Sequence, residues 1–148
     1  MRNLGLTPPE IIKKGDWIDL YVQEDVRVCK DVPVKINFKI AMELPKGFEA
    51  HVVSRSSTFS NYGIIQTNAF GVIDNSYNGN DDEWKGQYYP TRDCLIPKGA
   101  RIAQFRIMLS QKATFWQKLR WLFSSKIKLK WVNTLKNKSR GGFGATGK

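Results

Sequence analysis

Lysine alternates with Ile127, Leu129 and Trp131 through KIKLKWV (126–132). A period of two puts the apolar residues on one face of an extended chain and the cations on the other. The same alternation, or a short apolar run, recurs in WIDLYV (17–22), VPVKINFKIAM (32–42), EAHVVS (49–54), FGVID (70–74) and ARIAQFRIM (100–108). Turn-forming residues separate these segments in LPKGF (44–48), SNYG (60–63), YNGNDD (77–82) and IPKGA (96–100). Many short strands punctuated by Gly and Pro predict an all-β barrel or sandwich. One segment departs from the pattern. FWQKLRWLF (115–123) spaces Phe115, Leu119, Leu122 and Phe123 as one helix face, which predicts a short helical insertion.

A chain of 148 residues with 41% hydrophobic content is expected to form a single domain, 1–148, with a real core. No stretch of 18 apolar residues is present, so a membrane-spanning helix is excluded. The first residues, MRNLGLTPPEII, lack the apolar run of a secretion signal. Cys29 and Cys94 have no paired spacing, which fits reduced thiols in a cytoplasmic protein. Charge is divided unevenly. Residues 1–93 hold 11 Lys and Arg against 13 Asp and Glu, whereas residues 94–148 hold 13 Lys and Arg and no acid. Carboxylates in one half and cations in the other suit a polyanion bound through side chains and a metal. A basic half alone would equally serve nucleic acid or an anionic membrane.

His51 is the only histidine, and no acid or serine stands at a spacing that would build a triad on it. One His and two scattered Cys cannot make a zinc site. Oxygen chemistry is left: carboxylates that hold Mg²⁺ or activate water, and cations that bind phosphates. SRSS (54–57) joins Arg55 to hydroxyls directly after a strand. GVIDNSYNG (71–79) delivers Asp74 where an apolar run opens into a loop, a position suited to a base. KGARIAQ (98–104) carries Arg101 and Gln104, and Asp19 interrupts the apolar strand WIDL, a costly place for an acid without a metal, water or cation. The tail GGFGATGK has nearly the spacing of a phosphate-binding loop, but it lacks the Ser or Thr after Lys148 and the helix that should follow. A glycine-rich basic tail bearing Phe143 is instead expected to fold over something.

In this order, GDWIDL, SRSS, NAFGVIDNSYNG, KGARIAQ and RGGFGATG resemble the five motifs of the homotrimeric dUTPase family, and the wording is most similar to that of Gram-positive bacteria and their phages. The resemblance implies a jelly-roll-like β domain with a core over 15–138, which includes an insertion over 113–125, and a C-terminal arm over 139–148. It implies a homotrimer with sites at subunit interfaces, over which the arm of one subunit closes onto a neighbour. dUTP would be hydrolysed to dUMP and pyrophosphate, with Asp74 deprotonating the attacking water and Mg²⁺ neutralising the triphosphate. Asp19 would touch the metal through water. Arg55, Ser56, Ser57 and Gln104 would hold phosphate oxygens. Asn68, with backbone of Gly71 and Ile73, would read uracil, and Tyr77 would lie beneath the deoxyribose. Arg140, Gly142, Phe143, Gly144 and Thr146 would form the lid, with Phe143 stacked on the base.

Several positions depart from the family pattern. Ser76 replaces the usual Asp before the tyrosine, Asn78 follows it, and Ala145 stands where Ser is common. Lys138 and Arg140 both compete for the γ-phosphate, and Trp84 is a second candidate to cap uracil. The insertion offers a surface, 113–130, for a further partner. Two alternatives stand beside the hydrolase reading. One is a dCTP deaminase of the same fold, which needs a glutamate in the pyrimidine pocket. The other is a basic β domain binding nucleic acid or a host protein.

Overall fold

The computed structural model describes residues 7–11, 15–123 and 126–142. Ten strands and two short helices follow one another along it. They are β1 (Glu10–Ile11), β2 (Ile18–Tyr21), β3 (Val26–Val28), β4 (Val34–Asn37), β5 (Phe48–Ser54), α1 (Thr58–Tyr62), β6 (Ile64–Gln66), β7 (Gly71–Ile73), β8 (Lys85–Pro90), β9 (Cys94–Ile96), β10 (Arg101–Leu109) and α2 (Phe115–Phe123). The largest sheet has the antiparallel order β1-β2-β10-β5-β7, and β4-β8-β6 and β3-β9 form two smaller sheets. The architecture is all-β, as the alternation predicts, and of the jelly-roll type that the family resemblance implies.

Side-chain period explains how these sheets enclose one core. On β5, Ala50 and Val52 point inward while Glu49, His51 and Val53 point away. A register shift between Arg101 and Ala103 in β10 breaks the alternation, and Ile102 and Ala103 are both fully buried there. The expected strand 32–42 stops at Asn37 because Lys39 takes a φ of 51°, held by its N–H donating to Asn37 Oδ1 at 2.7 Å. Phe38, Ile40, Ala41 and Met42 are still buried, and across this stretch Phe38 N–H donates to Trp84 O while Trp84 N–H donates to Ile40 O. Trp84 itself meets Phe105 edge-on at 5.0 Å between centroids and is 1% exposed. Burying a side chain of that size stabilises the fold by roughly 2–3 kcal/mol.

Two expectations are altered. KIKLKWV keeps its alternation through Lys130, with Ile127 and Leu129 packed on the core and the lysines exposed, but Trp131 is exposed too and the segment joins no sheet among the described residues. Its only pairing is an isolated bridge at Val132. Alternation selects a face, and a strand needs an open neighbouring edge as well. The second concerns α2, which is present and starts with a reciprocal cap: Thr114 N–H donates to Gln117 Oε1, and Gln117 N–H to Thr114 Oγ1. Gln117 Nε2 also donates to Lys46 O, and Trp121 packs on Phe48 at 5.1 Å. Gly47 admits that contact, since a Cβ there would lie 2.3 Å from Gln117 Oε1. The rest of the helix face stays open, with Phe115, Trp116, Leu122 and Phe123 exposed. Among the described residues, no helix is long and apolar enough to cross a membrane.

Candidate active site

The strand β7 ends at Ile73, and the chain turns sharply at Asp74. Tyr77 N–H donates to Asp74 O at 3.1 Å, and Ser76 N–H donates to Asp74 Oδ1 at 2.7 Å. This Asx-type turn points the Asp74 carboxylate out of the sheet. Behind it, a cavity of about 230 Å³ is lined by Asn68, Gly71, Ile73, Tyr77, Arg140 and Gly142, with Asp74 itself on the wall. Seven of the sequence-selected site residues thus come together in one place. Gln66, Lys85 and Gln87 also line it, and the sequence reading did not select them. Gln66 ends the three-residue β6, and Lys85 and Gln87 lie on β8, where Gly86 and Pro90 mask the strand pattern.

Burial and hydrogen bonding act in opposite directions on Asp74. Partial burial pushes the carboxyl up, but the Ser76 hydroxyl and N–H and the Arg140 guanidinium outweigh that and hold it below its ordinary value. Ser76 therefore has a role as donor to Asp74, through an Oγ contact as well as its N–H. Arg140 Nη1 donates to Asp74 Oδ2 at 2.5 Å. Tyr77 donates its hydroxyl to Glu83 O at 2.9 Å, and burial together with the nearby Asp82 and Glu83 carboxylates pushes its own ionisation up. A neutral, fixed ring results, with Gly142 lying on its edge: a Cβ there would come 3.0 Å from Tyr77 Cε2.

A second group forms apart from that cavity. Asp19 and Gln104 face each other across β2 and β10, and Arg55 follows directly from β5. Arg55 Nη1 donates to Asp19 Oδ2 at 2.5 Å, and Arg101 Nη1 reaches the same oxygen at 3.2 Å. Asp19 is 1% exposed, and its Oδ1 has no hydrogen-bond partner among the described residues. Arg55 N–H and Thr58 Oγ1 both donate to Ile102 O, which anchors the SRSS turn on β10. Ser56 and Ser57 are exposed on this turn, and Ser57 heads α1 without a side-chain capping bond. None of Arg55, Ser56, Ser57 or Gln104 lines the Asp74 cavity.

Three expectations change or fall outside this geometry. Trp84 is a core residue packed on Phe105, so its ring has no face to offer a base. The described root of the arm lies on its own chain's β7–β8 loop, with Asn80 bonded to Leu135 and Asp82 to Arg140. Of the two cations, Arg140 reaches the Asp74 cavity, whereas Lys138 does not line it. Phe143, Gly144 and Thr146 lie outside the described residues.

An acid beside a cavity with the Arg140 guanidinium against it, and Arg55 and Arg101 in a separate group, offer this jelly-roll domain the cations that suit a phosphorylated ligand. A family model described as dUTPase matches residues 17–120. The SPbeta prophage-derived deoxyuridine 5'-triphosphate nucleotidohydrolase of Bacillus subtilis (strain 168) is 48% identical over 136 residues, 92% of this chain and 87% of the relative. The deoxyuridine 5'-triphosphate nucleotidohydrolase of Anaplasma marginale is 31% identical over 144 residues, 95% of this chain and 88% of the relative. Among solved structures, dUTPase from Streptococcus mutans shares the fold with a TM-score of 0.65 at 20% identity, covering 74% of this chain and 93% of that one. A dUTPase variant from phage phi11 of S. aureus, described with a structural Mg(II) ion, gives 0.63 at 17% identity, covering 76% and 90%. The chain belongs to the dUTPase family.

Proposed function

We infer that this dUTPase-family chain hydrolyses dUTP to dUMP and pyrophosphate. The observation that carries the reading is Asp74, whose carboxyl is held below its ordinary pKa and which lines a cavity together with Asn68, Tyr77, Gly71 and Ile73. In this reading the Asp74 carboxylate takes a proton from water, and the hydroxide oxygen bonds to the α-phosphorus. The bond from that phosphorus to the α–β bridging oxygen breaks, and pyrophosphate leaves in line. Asn68 hydrogen-bonds the uracil edge, and the fixed Tyr77 ring closes the space a 2′-hydroxyl would need. Arg55, Ser56, Ser57 and Gln104 hold phosphate oxygens, and Arg140 brings a further cation. Phe143, Gly144 and Thr146 complete the lid.

The phosphate-binding group and the Asp74 cavity stand apart within one chain, which supports a homotrimer whose interfaces bring one subunit's Arg55 group to another's Asp74. Beyond its root, the arm of one subunit closes over the site of a neighbour. The buried Asp19 Oδ1 lacks a donor, which fits a metal-bound water reaching Asp19. Mg²⁺ bound to the triphosphate would supply charge neutralisation. The setting is cytoplasmic.

No glutamate lines the cavity, which disfavours the deaminase alternative. The test is turnover of dUTP, dCTP and UTP with pyrophosphate and ammonia both read. Pyrophosphate from dUTP well ahead of UTP, without ammonia from dCTP, is expected. Ammonia from dCTP, or no pyrophosphate from dUTP, would refute the reading.

A further inference from the structure

α2 turns only one narrow face to its own domain. Gln117 and Trp121 lie on that side, the first donating to Lys46 O at 2.7 Å and the second packing on Phe48. At about 100° per residue, Phe115, Trp116, Leu119, Leu122 and Phe123 fall within an arc of about 120° on the opposite side. Phe115, Trp116, Leu122 and Phe123 are 69%, 74%, 78% and 79% exposed, so the domain leaves most of that arc in water. Three aromatic rings and a leucine side by side at the surface mark an interaction site.

Charge indicates what covers it. Lys118 and Arg120 lie about 100° from the centre of the arc, one on each side, so cations border both of its edges. α2 carries no acid, and residues 94–148 hold 13 Lys and Arg and no acid at all. On the Arg120 side the basic flank continues into Lys126, Lys128 and Lys130, which line the cleft between α2 and the core. Glu43 is the one acid in that cleft among the described residues.

Three kinds of partner meet only part of this pattern. A second copy of the face would set Lys118 and Arg120 against the same cations. A nucleic acid would engage the cations and leave the rings wet. A peptide helix docks in a groove, whereas the arc of a single helix is convex. A bilayer with anionic headgroups meets both demands, because the rings and leucine enter the acyl boundary while the cations stay at headgroup level.

We propose that α2 is a peripheral anchor that lays its Phe115–Phe123 face on an anionic membrane surface. One short helix makes the attachment weak and reversible. No residue of α2 lines the Asp74 cavity, so an anchored protein keeps that cavity open to its ligand. The anchor is independent of which nucleotide is hydrolysed.

The test is flotation of the full chain with vesicles of phosphatidylcholine alone, or of phosphatidylcholine mixed with phosphatidylglycerol. Brominated acyl chains report inserted tryptophan by quenching. The parent partitions at least about tenfold more strongly onto the mixed vesicles, and the quenching falls in Trp116→Phe. The triple variant Phe115→Ser, Leu122→Ser, Phe123→Ser keeps every charge and loses at least about tenfold of the partition. The double variant Lys118→Glu, Arg120→Glu keeps every ring and loses at least about tenfold as well. Both variants keep the circular dichroism of the parent and its rate on dUTP. A parent that stays in solution with the mixed vesicles would overturn the proposal without any variant. Equal partition by the triple variant would reduce the binding to charge adsorption and overturn it too, as would quenching unchanged in Trp116→Phe. So would self-association through this face, or capture of a DNA duplex, in place of vesicle binding.

Discussion

Arg140 and Asp74 lie 66 residues apart in one chain, and the guanidinium of the first meets the carboxylate of the second at 2.5 Å. The arm therefore touches the candidate base before any nucleotide is present. That contact keeps Asp74 ionised and occupies one of its oxygens.

Asp74→Asn is expected to lower kcat on dUTP by about 10²–10⁴-fold, the usual contribution of a positioned base. The amide keeps the size and still accepts from Ser76, but it cannot take a proton. Nucleotide affinity, read by calorimetry with a non-hydrolysable analogue, should stay close to that of the parent. Turnover within about threefold of the parent would assign the base to another residue.

The pH dependence follows from the depressed ionisation of Asp74. A carboxyl held below its ordinary value stays charged down to that value, and the stability it contributes is lost only as pH falls through the folded pKa. In the free enzyme the acidic limb, read in kcat/KM, should therefore lie below the pH at which an ordinary aspartate titrates. Once Arg140 has moved to the phosphates, Asp74 loses one lowering partner and gains nearby negative charge. The limb in kcat should then lie at higher pH than the limb in kcat/KM. Coincident limbs would mean that Arg140 stays on Asp74 through the reaction.

Selectivity for the deoxyribose is assigned to Tyr77. Tyr77→Ala should raise the rate on UTP relative to dUTP, because removing the ring opens room for a 2′-hydroxyl. Tyr77→Phe should keep the preference and lose about 0.5–1.5 kcal/mol of stability, since only the bond to Glu83 O is removed. An unchanged dUTP/UTP ratio in Tyr77→Ala would place the discrimination elsewhere.

The two faces of α2 predict different costs. Trp121 is half-buried against Phe48, so Trp121→Ala should destabilise by about 1–2 kcal/mol in thermal melts. Phe123 is 79% exposed, and Phe123→Ser should stay within about 0.5 kcal/mol. Equal losses at both positions would show that the open face is covered in solution.

Legibility in the sequence followed the range of the interactions. The strands holding Leu20, Ala50 and Phe105 were readable because alternation is a local signal, and Thr114 and Gln117 carry a capping pair within one turn. β8 was missed because Gly86 and Pro90 obscure its period, although Tyr88 between them is fully buried. Trp84 sits in a polar stretch, and only the tertiary contact with Phe105 reveals it as core. Asp74, Tyr77 and Asn68 were selected through the motif order, and they share one cavity. Asp82 looked like a turn residue in YNGNDD, since its partners at Arg140 and Gly141 are distant in sequence. The pairing of Arg55 with Asp19 was hidden for the same reason.

The central claim, that water prepared by Asp74 attacks the α-phosphorus, can be followed by isotope. A single turnover of dUTP in heavy-oxygen water, with both products examined by mass spectrometry, reads the site of attack. One heavy oxygen in the dUMP phosphate and none in pyrophosphate is the predicted result. Heavy oxygen in pyrophosphate would place the attack on the β-phosphorus and contradict the account.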